Sequence, residues 1–248
     1  CEKSRRWEHA LYLVEELHQR GHEPNAITCN AAISACEKGH EWGGALRLFR
    51  CVRQRMLEPA VVTYNAAMSA CEKGQQWEWA VRLLGNLPQG ALEPTLMTFG
   101  AAISACEKSQ EWRWALLALH SSRQSCLQLS VVTCSAAISA CEKARRWQQA
   151  LWLLRELRPG GLEADVVPYA AAISACEKAQ EWEQALRVLL DLRRSRLRPN
   201  VFAYAAAMSA CEKSQKWEWA MHLLCELGLS RLEPNVVAYG AAISACEK

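Results

Sequence analysis

Residues 61–73 read VVTYNAAMSACEK, and close copies of this segment recur along the whole chain. Every copy has a cysteine followed by glutamate and lysine, and these cysteines are Cys1, Cys36, Cys71, Cys106, Cys141, Cys176, Cys211 and Cys246. Successive cysteines lie 35 residues apart, without an insertion or a deletion. A fixed period of roughly 20 to 50 residues predicts a solenoid, in which each structural repeat packs on its neighbours.

Each repeat contains two segments with helical periodicity. In the repeat that begins at Val61, the apolar positions of the first segment are Tyr64, Ala67, Met68 and Cys71. Those of the second segment are Trp77, Ala80, Val81, Leu84 and Leu87. Spacings of three and four residues place each set on one face of a helix, and Gly74 between them predicts the end of the first helix. The sequence therefore predicts an all-α protein, an α-solenoid of helix-turn-helix repeats with fourteen helices.

The period also sets the predicted boundaries, which describe one continuous array over residues 1–248. The array has a partial repeat at 1–25, full repeats at 26–60, 61–95, 96–130, 131–165, 166–200 and 201–235, and a partial repeat at 236–248. Because both ends fall inside a repeat, we expect the chain to be a piece of a longer protein.

The composition limits the class of protein. Hydrophobic residues make up 51% of the chain and eleven residues are Trp, which excludes a disordered chain. Charged residues recur every few positions and exclude an apolar run of about 18 residues that could span a membrane, so we expect no membrane partner. The net charge of +3 is only weak evidence for a nucleic-acid partner.

The thirteen cysteines do not have the pattern of a disulfide scaffold. Eight of them occupy one helical position, and equivalent residues of stacked helices lie about 8 to 10 Å apart, beyond the roughly 7 Å limit for a disulfide. We expect these thiols to be buried and reduced. The chain has no C-x-x-C pair and no Cys/His cluster with zinc spacing, so we predict neither a metal nor a cofactor.

Tryptophan marks the start of every second helix, and this row is interpreted as core. Its members are Trp7, Trp42, Trp77, Trp112, Trp147, Trp182 and Trp217. A single hairpin cannot bury such large side chains alone, so stacking must cover them. The other four tryptophans, which we expect to be partly exposed, are Trp79, Trp114, Trp152 and Trp219.

One sector of the first helix is polar and varies between repeats. It holds the second, fifth, ninth, twelfth and thirteenth positions, counted from the start of each repeat. The fifth residues are Asn30, Asn65, Gly100, Ser135, Ala170, Ala205 and Gly240, the thirteenth is always lysine, and the last residue of each repeat is again small or polar. Small hydrogen-bonding residues that change from repeat to repeat beside a row of lysines indicate a recognition surface.

Two other classes of function fit the sequence less well. An enzyme is disfavoured because aspartate occurs only at Asp165 and Asp191, and no nucleophile motif or phosphate-binding glycine loop is present. A protein-binding scaffold of the tetratricopeptide kind remains an alternative, although its repeat is typically about 34 residues long with a W-x2-L-G-x2-Y pattern that this chain lacks.

The unit VVTYNAAMSACEKGQQWEWAVRLLGNLPQGALEPT resembles the pentatricopeptide repeat over the whole chain. That family has Tyr-Asn near the start of the first helix, Lys at the thirteenth position, Ala at the twentieth, and Pro-Asp or Pro-Asn at the end. The resemblance implies antiparallel helix pairs that stack into a right-handed superhelix and bind single-stranded RNA, one base per repeat. It also implies a monomer in a chloroplast or mitochondrion, acting in RNA processing, stabilisation or translation, with other RNA-processing proteins as further partners.

The family's functional positions transfer residue by residue. The fifth and last residues of a repeat would read the base, as Asn30 with Ala60, Asn65 with Thr95, Gly100 with Ser130, Ser135 with Asp165, Ala170 with Asn200, and Ala205 with Asn235. The second residues would wedge between bases, and they are Ile27, Val62, Met97, Val132, Val167, Phe202 and Val237. The lysines expected near the phosphates are Lys38, Lys73, Lys108, Lys143, Lys178 and Lys213.

The family's code turns these pairs into a base sequence. Ser135 with Asp165 implies guanine, asparagine at the fifth position implies a pyrimidine, and a small residue with a final asparagine leans to adenine. The resulting site is pyrimidine, pyrimidine, any base, G, then two A-leaning positions, read 5′ to 3′ from the N-terminal end. Glutamate at the twelfth position, as in Glu72 and Glu107, opposes phosphate approach, and we expect the neighbouring lysine to offset it.

Overall fold

The computed structural model of the protein describes residues 6–22, 24–54, 59–87, 92–125, 127, 130–157, 165–230 and 232–247. These ranges contain fourteen α-helices and no β-strand. In chain order the helices are α1 (Arg6–Gln19), α2 (Ala26–Lys38), α3 (Trp42–Gln54), α4 (Val61–Lys73), α5 (Trp77–Asn86), α6 (Leu96–Lys108), α7 (Trp112–Gln124), α8 (Val131–Lys143), α9 (Trp147–Leu157), α10 (Val166–Lys178), α11 (Trp182–Arg194), α12 (Val201–Lys213), α13 (Trp217–Leu229) and α14 (Val236–Glu247). The predicted all-α fold of helix-turn-helix repeats is confirmed.

The helices pack into two compact units, Cys1–Leu129 and Ser130–Lys248. In the first unit α2, α4 and α6 pack side by side, and α3 and α5 each contact the first helix of their own repeat and the first helix of the next. The second unit has the same arrangement, with α8, α10, α12 and α14 side by side and α9, α11 and α13 against them. Within each unit, every hairpin is therefore stabilised by its neighbours.

The predicted apolar stripe of the first helix forms the core. Tyr64, Ala67, Met68 and Cys71 are each exposed by 3% or less. The second helix departs slightly from its prediction, because Leu83 is buried while Leu84 is half-buried. Since α5 contacts both α4 and α6, its buried face is set by two partners rather than one.

The turn between the two helices has the same conformation in all six complete hairpins. Gly74 ends α4 with a φ of −84°, and the next residue, Gln75, takes the left-handed conformation with a φ of 56°. Gln75 N donates to Glu72 O at 3.2 Å, and Gln76 N donates to Cys71 O at 2.8 Å, which is the Schellman arrangement that ends a helix. The equivalent left-handed residues are His40, Gln110, Arg145, Gln180 and Gln215.

Gly74 marks the end of the helix as predicted, and glycine is also favoured there because a neighbouring tryptophan leaves no room for a Cβ atom. A Cβ at Gly74 would lie 2.4 Å from Trp42 Cδ1, and a Cβ at Gly39 would lie 2.3 Å from Trp7 Cδ1. The tryptophan that starts one second helix therefore packs on the turn of the following repeat.

This contact explains the burial of the tryptophan row. Its members from Trp7 to Trp182 are half-buried rather than fully buried, and Trp217 is 52% exposed. The expectation that the whole row is core is thus wrong for Trp217. Of the four other tryptophans, Trp79 is half-buried, and Trp114, Trp152 and Trp219 are exposed by 39%, 52% and 45%.

The repeated cysteines are buried, as expected. Cys36, Cys71, Cys106, Cys141, Cys176 and Cys211 have no exposed surface and are free thiols. Cys246 in α14 is exposed, and Cys1 lies outside the described residues. Burial raises the pKa of Cys71, Cys106, Cys141 and Cys176 from 9.0 to about 12, because the thiolate cannot be solvated in the core.

We predict that Gln75→Gly stabilises the protein. The left-handed conformation costs a residue with a side chain about 1 to 2 kcal/mol, and the greater freedom of glycine in the unfolded chain offsets about 0.5 to 1 kcal/mol of that gain. Urea unfolding should show a free energy of unfolding higher by about 0.5 to 1 kcal/mol. The matched control is Gln76→Gly, where φ is −100°, and it should give no gain. A loss of stability for Gln75→Gly would contradict the assignment of strain to this turn.

We predict a loss of stability above pH 9 that comes from the buried thiols. Burial raises the pKa of the Cys71 thiol from 9.0 to about 12, so the folded state keeps this thiol protonated over a range in which the unfolded chain loses the proton. Each thiol then destabilises the fold by up to about 1.4 kcal/mol per pH unit within that window, and by nothing below it. Urea unfolding from pH 8 to 10.5 should show a smaller pH slope for Cys71→Ala and an unchanged slope for Cys225→Ala, whose thiol is exposed.

Candidate nucleic-acid interface

We define the recognition face as the side chains at the second, fifth, ninth, twelfth and thirteenth positions of each first helix, together with the last residue of the preceding repeat. The first helices position these groups because each one begins at the first residue of a repeat. The face is described within Cys1–Leu129 and within Ser130–Lys248 separately.

The second position carries an exposed apolar side chain in all seven first helices. The exposed fractions are 77% for Ile27, 65% for Val62, 73% for Met97, 78% for Val132, 57% for Val167, 58% for Phe202 and 59% for Val237. Single exposed apolar residues are ordinary on protein surfaces, but their recurrence at one position of every repeat forms a regular row. Such a row leaves apolar surface available to a ligand at equal intervals along the chain.

Asparagine at the fifth position has two different environments. Asn30 Oδ1 accepts a hydrogen bond from Thr63 Oγ1 of the next repeat at 2.6 Å. Asn65 Oδ1 is buried and has no hydrogen-bond partner among the residues that the structure describes. The equivalent threonine, Thr98, instead donates to Thr95 O of its own capping turn at 2.6 Å. A buried carbonyl oxygen without a donor is unfavourable, so the Asn65 side chain is the less satisfied of the two.

The remaining fifth positions offer fewer side-chain groups that could form a hydrogen bond with a ligand. Ser135 Oγ is half-buried and donates to Val131 O in its own helix at 2.6 Å, as short polar side chains often do in a first turn. Ala170 and Ala205 are only 5% and 4% exposed. A Cβ at Gly100 would meet no atom within 4 Å, so space exists there without a functional group.

The last residue of the repeat caps the following helix. Asn200 Oδ1 accepts from Ala203 N at 2.9 Å, and Asn235 Oδ1 accepts from Ala238 N at 2.9 Å. Asp165 Oδ1 accepts from Val166 N at 2.6 Å. Capping uses one side-chain oxygen, which leaves the amide group of each asparagine and the second oxygen of Asp165 for a further contact.

In the other repeats, Ser130 Oγ and Thr95 Oγ1 accept from backbone N–H groups in the same way, at 3.1 and 3.4 Å. Ala60 has no side-chain group to donate or accept, and α4 starts without a side-chain cap. This capping role was missed at the sequence level, although Ser, Thr, Asp and Asn before an apolar helix are its usual signal.

Glutamate at the twelfth position joins neighbouring first helices. Glu37 Oε1 in α2 accepts from Lys73 Nζ at 3.0 Å and from Ser69 Oγ at 2.9 Å, both in α4. In the second unit, Glu142 Oε1 in α8 accepts from α10 in the same way, from Lys178 Nζ at 2.8 Å and Ser174 Oγ at 2.9 Å. The ninth, twelfth and thirteenth positions therefore form one network between repeats.

This network corrects the expected pairing of the glutamates. We expected each glutamate to be offset by the lysine that follows it in the same helix, but Glu37, Glu72, Glu142 and Glu177 pair with the lysine of the next repeat. Adjacent residues of a helix point about 100° apart and cannot face each other. The further pairs are Lys108 Nζ with Glu72 Oε1 at 2.9 Å and Lys213 Nζ with Glu177 Oε1 at 2.8 Å.

The positive charge of the recognition face is therefore largely balanced. Four of the six predicted lysines form ion pairs with glutamates, Lys143 is half-buried with an interaction of its own, and Lys38 is exposed. Such pairs, at roughly a third exposure, are worth about 0 to 1 kcal/mol each, so an anionic ligand could replace the glutamate as partner. The sequence signal for this network is the invariance of Ser, Glu and Lys in every repeat.

Among the residues that the structure describes, no group of three or more His, Cys, Asp or Glu side chains could hold a metal ion. Within the same part of the chain, no helix is long and apolar enough to cross a membrane.

The sequence matches models of one repeat family. The model described as pentatricopeptide repeat domain matches residues 12–74 and 152–214, and the model described as PPR repeat matches residues 62–89 and 132–158. No curated protein matches the chain.

Solved structures of pentatricopeptide repeat proteins are similar in fold. PPR10 in complex with an 18-nt psaJ RNA element has a TM-score of 0.73 at 20% identity, over 97% of this chain and 35% of that one. PPR10 from maize has a TM-score of 0.67 at 24% identity, over 96% and 39%. The PPR domain of Arabidopsis thaliana protein-only RNase P 1, in complex with tRNA, has a TM-score of 0.53 at 12% identity, over 87% and 95%. The chain thus spans little more than a third of the PPR10 chains.

Proposed function

This chain belongs to the pentatricopeptide repeat family, and on that premise we propose that it binds single-stranded RNA through its recognition face, one base per repeat. The observation that carries the proposal is the row of exposed apolar side chains at the second position of all seven first helices. Side chains such as Met97 and Phe202 would lie between successive bases, and stacking on bases is tolerant of sequence.

Base selection would come from the fifth and last positions. The second oxygen of Asp165 would offer an acceptor to a guanine. The Ser135 hydroxyl would act as a donor to the base only by giving up its hydrogen bond to Val131 O. Asn65 Oδ1 is buried and has no partner among the described residues, so this side chain would accept a hydrogen bond from a pyrimidine edge after rotating toward solvent. Ala170 and Ala205 are buried, so the free amide groups of Asn200 and Asn235 would carry the readout in their repeats. The proposed site remains pyrimidine, pyrimidine, any base, G, then two A-leaning positions.

The lysines would bind phosphate only by exchanging partners. Lys73, Lys108, Lys178 and Lys213 are already paired with glutamates, so a phosphate replaces a carboxylate rather than a hydration shell. This exchange lowers the sequence-independent part of the affinity, which for nucleic acids comes mostly from phosphate contacts.

We also infer that the protein acts as a monomeric RNA-binding array, in a chloroplast or mitochondrion, in RNA processing, stabilisation or translation together with other RNA-processing proteins. The array itself would supply binding rather than catalysis. This part of the proposal is supported by family membership alone.

Selection from a randomised RNA pool tests the code at one base. The unaltered protein should enrich guanine at the position read by Ser135 and Asp165, and Ser135→Asn should move that preference to uracil. By analogy with direct base readout, the discrimination between the two bases should be about 1 to 3 kcal/mol. Ser135→Ala is the control, and it should weaken the preference without a shift to uracil. A pool with no enriched sequence, together with capture of a peptide ligand, would favour the protein-binding scaffold instead.

Removal of the glutamates should strengthen RNA binding. We predict that the quadruple variant Glu37→Gln, Glu72→Gln, Glu142→Gln and Glu177→Gln binds single-stranded RNA about tenfold more tightly at low salt. The slope of log affinity against log salt should steepen by up to about 0.7 per released lysine. Fluorescence anisotropy over a salt series measures both quantities.

A matched control changes four exposed glutamates at the start of second helices to glutamine, at Glu8, Glu78, Glu183 and Glu218. It has the same net charge as the first variant but leaves the recognition face intact, so its salt slope should equal that of the unaltered protein. Equal slopes in the two variants would mean that the paired lysines do not contact the phosphates.

A further inference from the structure

A concave site lies between two second helices, α3 and α5, inside the unit Cys1–Leu129. We call it the arginine niche. It has a volume of 560 Å³, and its described lining residues are Leu46, Phe49, Arg50, Arg53, Trp79, Arg82, Leu83, Gly85 and Asn86. All of these residues belong to second helices, so the niche is separate from the recognition face on the first helices.

Two of its arginines are ordered on an aromatic ring. The guanidinium carbon of Arg50 lies 4.8 Å from the centre of the Trp79 ring, and that of Arg82 lies 5.2 Å from it. A guanidinium that contacts an indole in this way keeps its N–H groups available to an oxyanion, and less of its rotational freedom remains to be lost on binding. Arg53, one turn after Arg50, supplies a third positive charge.

No acidic side chain balances these arginines inside the niche. None of the described residues that line it is Asp or Glu, and all three arginines are exposed. Beneath them, Leu46, Phe49 and Leu83 are exposed by 3% to 6% and form an apolar floor. The site therefore offers bidentate donors for carboxylates around a small apolar surface.

The chain contains a counterpart that lacks these properties. In the second unit, the site between α9 and α11 places Arg155, Arg187 and Arg194 around a volume of 330 Å³. Gln184 stands where the niche has Trp79, and Asp191 stands where the niche has Asn86. The Asp191 carboxylate lies 3.8 Å from Arg194, so part of the positive charge is already balanced.

We propose that the arginine niche is a docking site for an acidic segment of a partner protein, with two or more carboxylates on the arginines and an apolar side chain against Trp79. RNA is the less suitable occupant because its phosphates recur at every nucleotide. One repeat further along the second helices, the positions equivalent to Arg50 and Arg82 are Gly85 and Leu117. An isolated cluster of three arginines fits a short run of carboxylates, whose charge is equally local. The proposal does not depend on RNA binding.

Peptide binding tests the niche directly. The probe is a fluorescein-labelled Glu-Glu-Leu-Glu-Glu peptide, and the uncharged reference is Gln-Gln-Leu-Gln-Gln. The double variant Arg50→Glu and Arg82→Glu should weaken binding of the acidic peptide by at least about tenfold in fluorescence anisotropy. Arg155→Glu with Arg187→Glu changes the net charge equally, and it should weaken binding by less than about threefold. Equal losses in the two variants would reduce the effect to bulk charge and overturn the proposal.

A spectroscopic measurement locates the peptide without relying on variant stability. In protein labelled with 5-fluorotryptophan, Trp79→Phe identifies the ¹⁹F resonance of Trp79, and the acidic peptide should shift that resonance while the glutamine peptide should not. A resonance that does not move would overturn the proposal.

RNA affinity of the Arg50→Glu and Arg82→Glu variant should stay within about threefold of the unaltered protein. A parallel loss of RNA and peptide binding would assign the niche to RNA instead.

Discussion

Close packing of the first helices through small side chains is the constraint on which the rest of each unit depends. In the first unit Ala67, Ala70, Cys71 and Ala105 have no exposed surface, and they belong to α4 and α6, which pack side by side. A larger side chain at these places would force the helices apart, because protein interiors have no spare volume. The buried cysteines follow from the same requirement, since a thiol is small and apolar enough to fit between helices.

This packing has a direct consequence for the recognition face. Helices that approach closely bring the twelfth residue of one repeat within ion-pair distance of the thirteenth residue of the next, as for Glu37 and Lys73 at 3.0 Å. The same closeness lets Thr63 donate to Asn30 at 2.6 Å. Asn30, which we propose reads a base, is therefore held by a residue of the following repeat. Neighbouring repeats that share such a contact are not expected to contribute to binding independently.

The sequence predicted the features that depend on periodicity and missed those that depend on neighbours. The burial of Tyr64, Met68 and Cys71 follows from spacing along one helix. The left-handed conformation of Gln75 does not follow from spacing, because Gly74 alone was sufficient to predict the turn. The structure shows that Gly74 is instead constrained by the indole of Trp42. For the candidate site, the positions were inferable, but the partner of each glutamate was not. That partner lies 36 residues away in sequence, and only the stacking of two helices brings it close.

The first and second helices differ in whether their positive side chains are paired with carboxylates, and this difference bears on the specificity of ligand binding. On the recognition face four lysines are paired with glutamates, whereas none of the described residues that line the niche of Arg50, Arg53 and Arg82 is acidic. Phosphate contacts position a nucleic acid but carry no sequence information, whereas base contacts specify it. A face whose lysines are already balanced gains little from an arbitrary polyanion. Discrimination there would rest on the hydrogen-bonding groups of residues such as Asn65, Ser135 and Asp165, because the electrostatic contribution that all sequences share has been reduced.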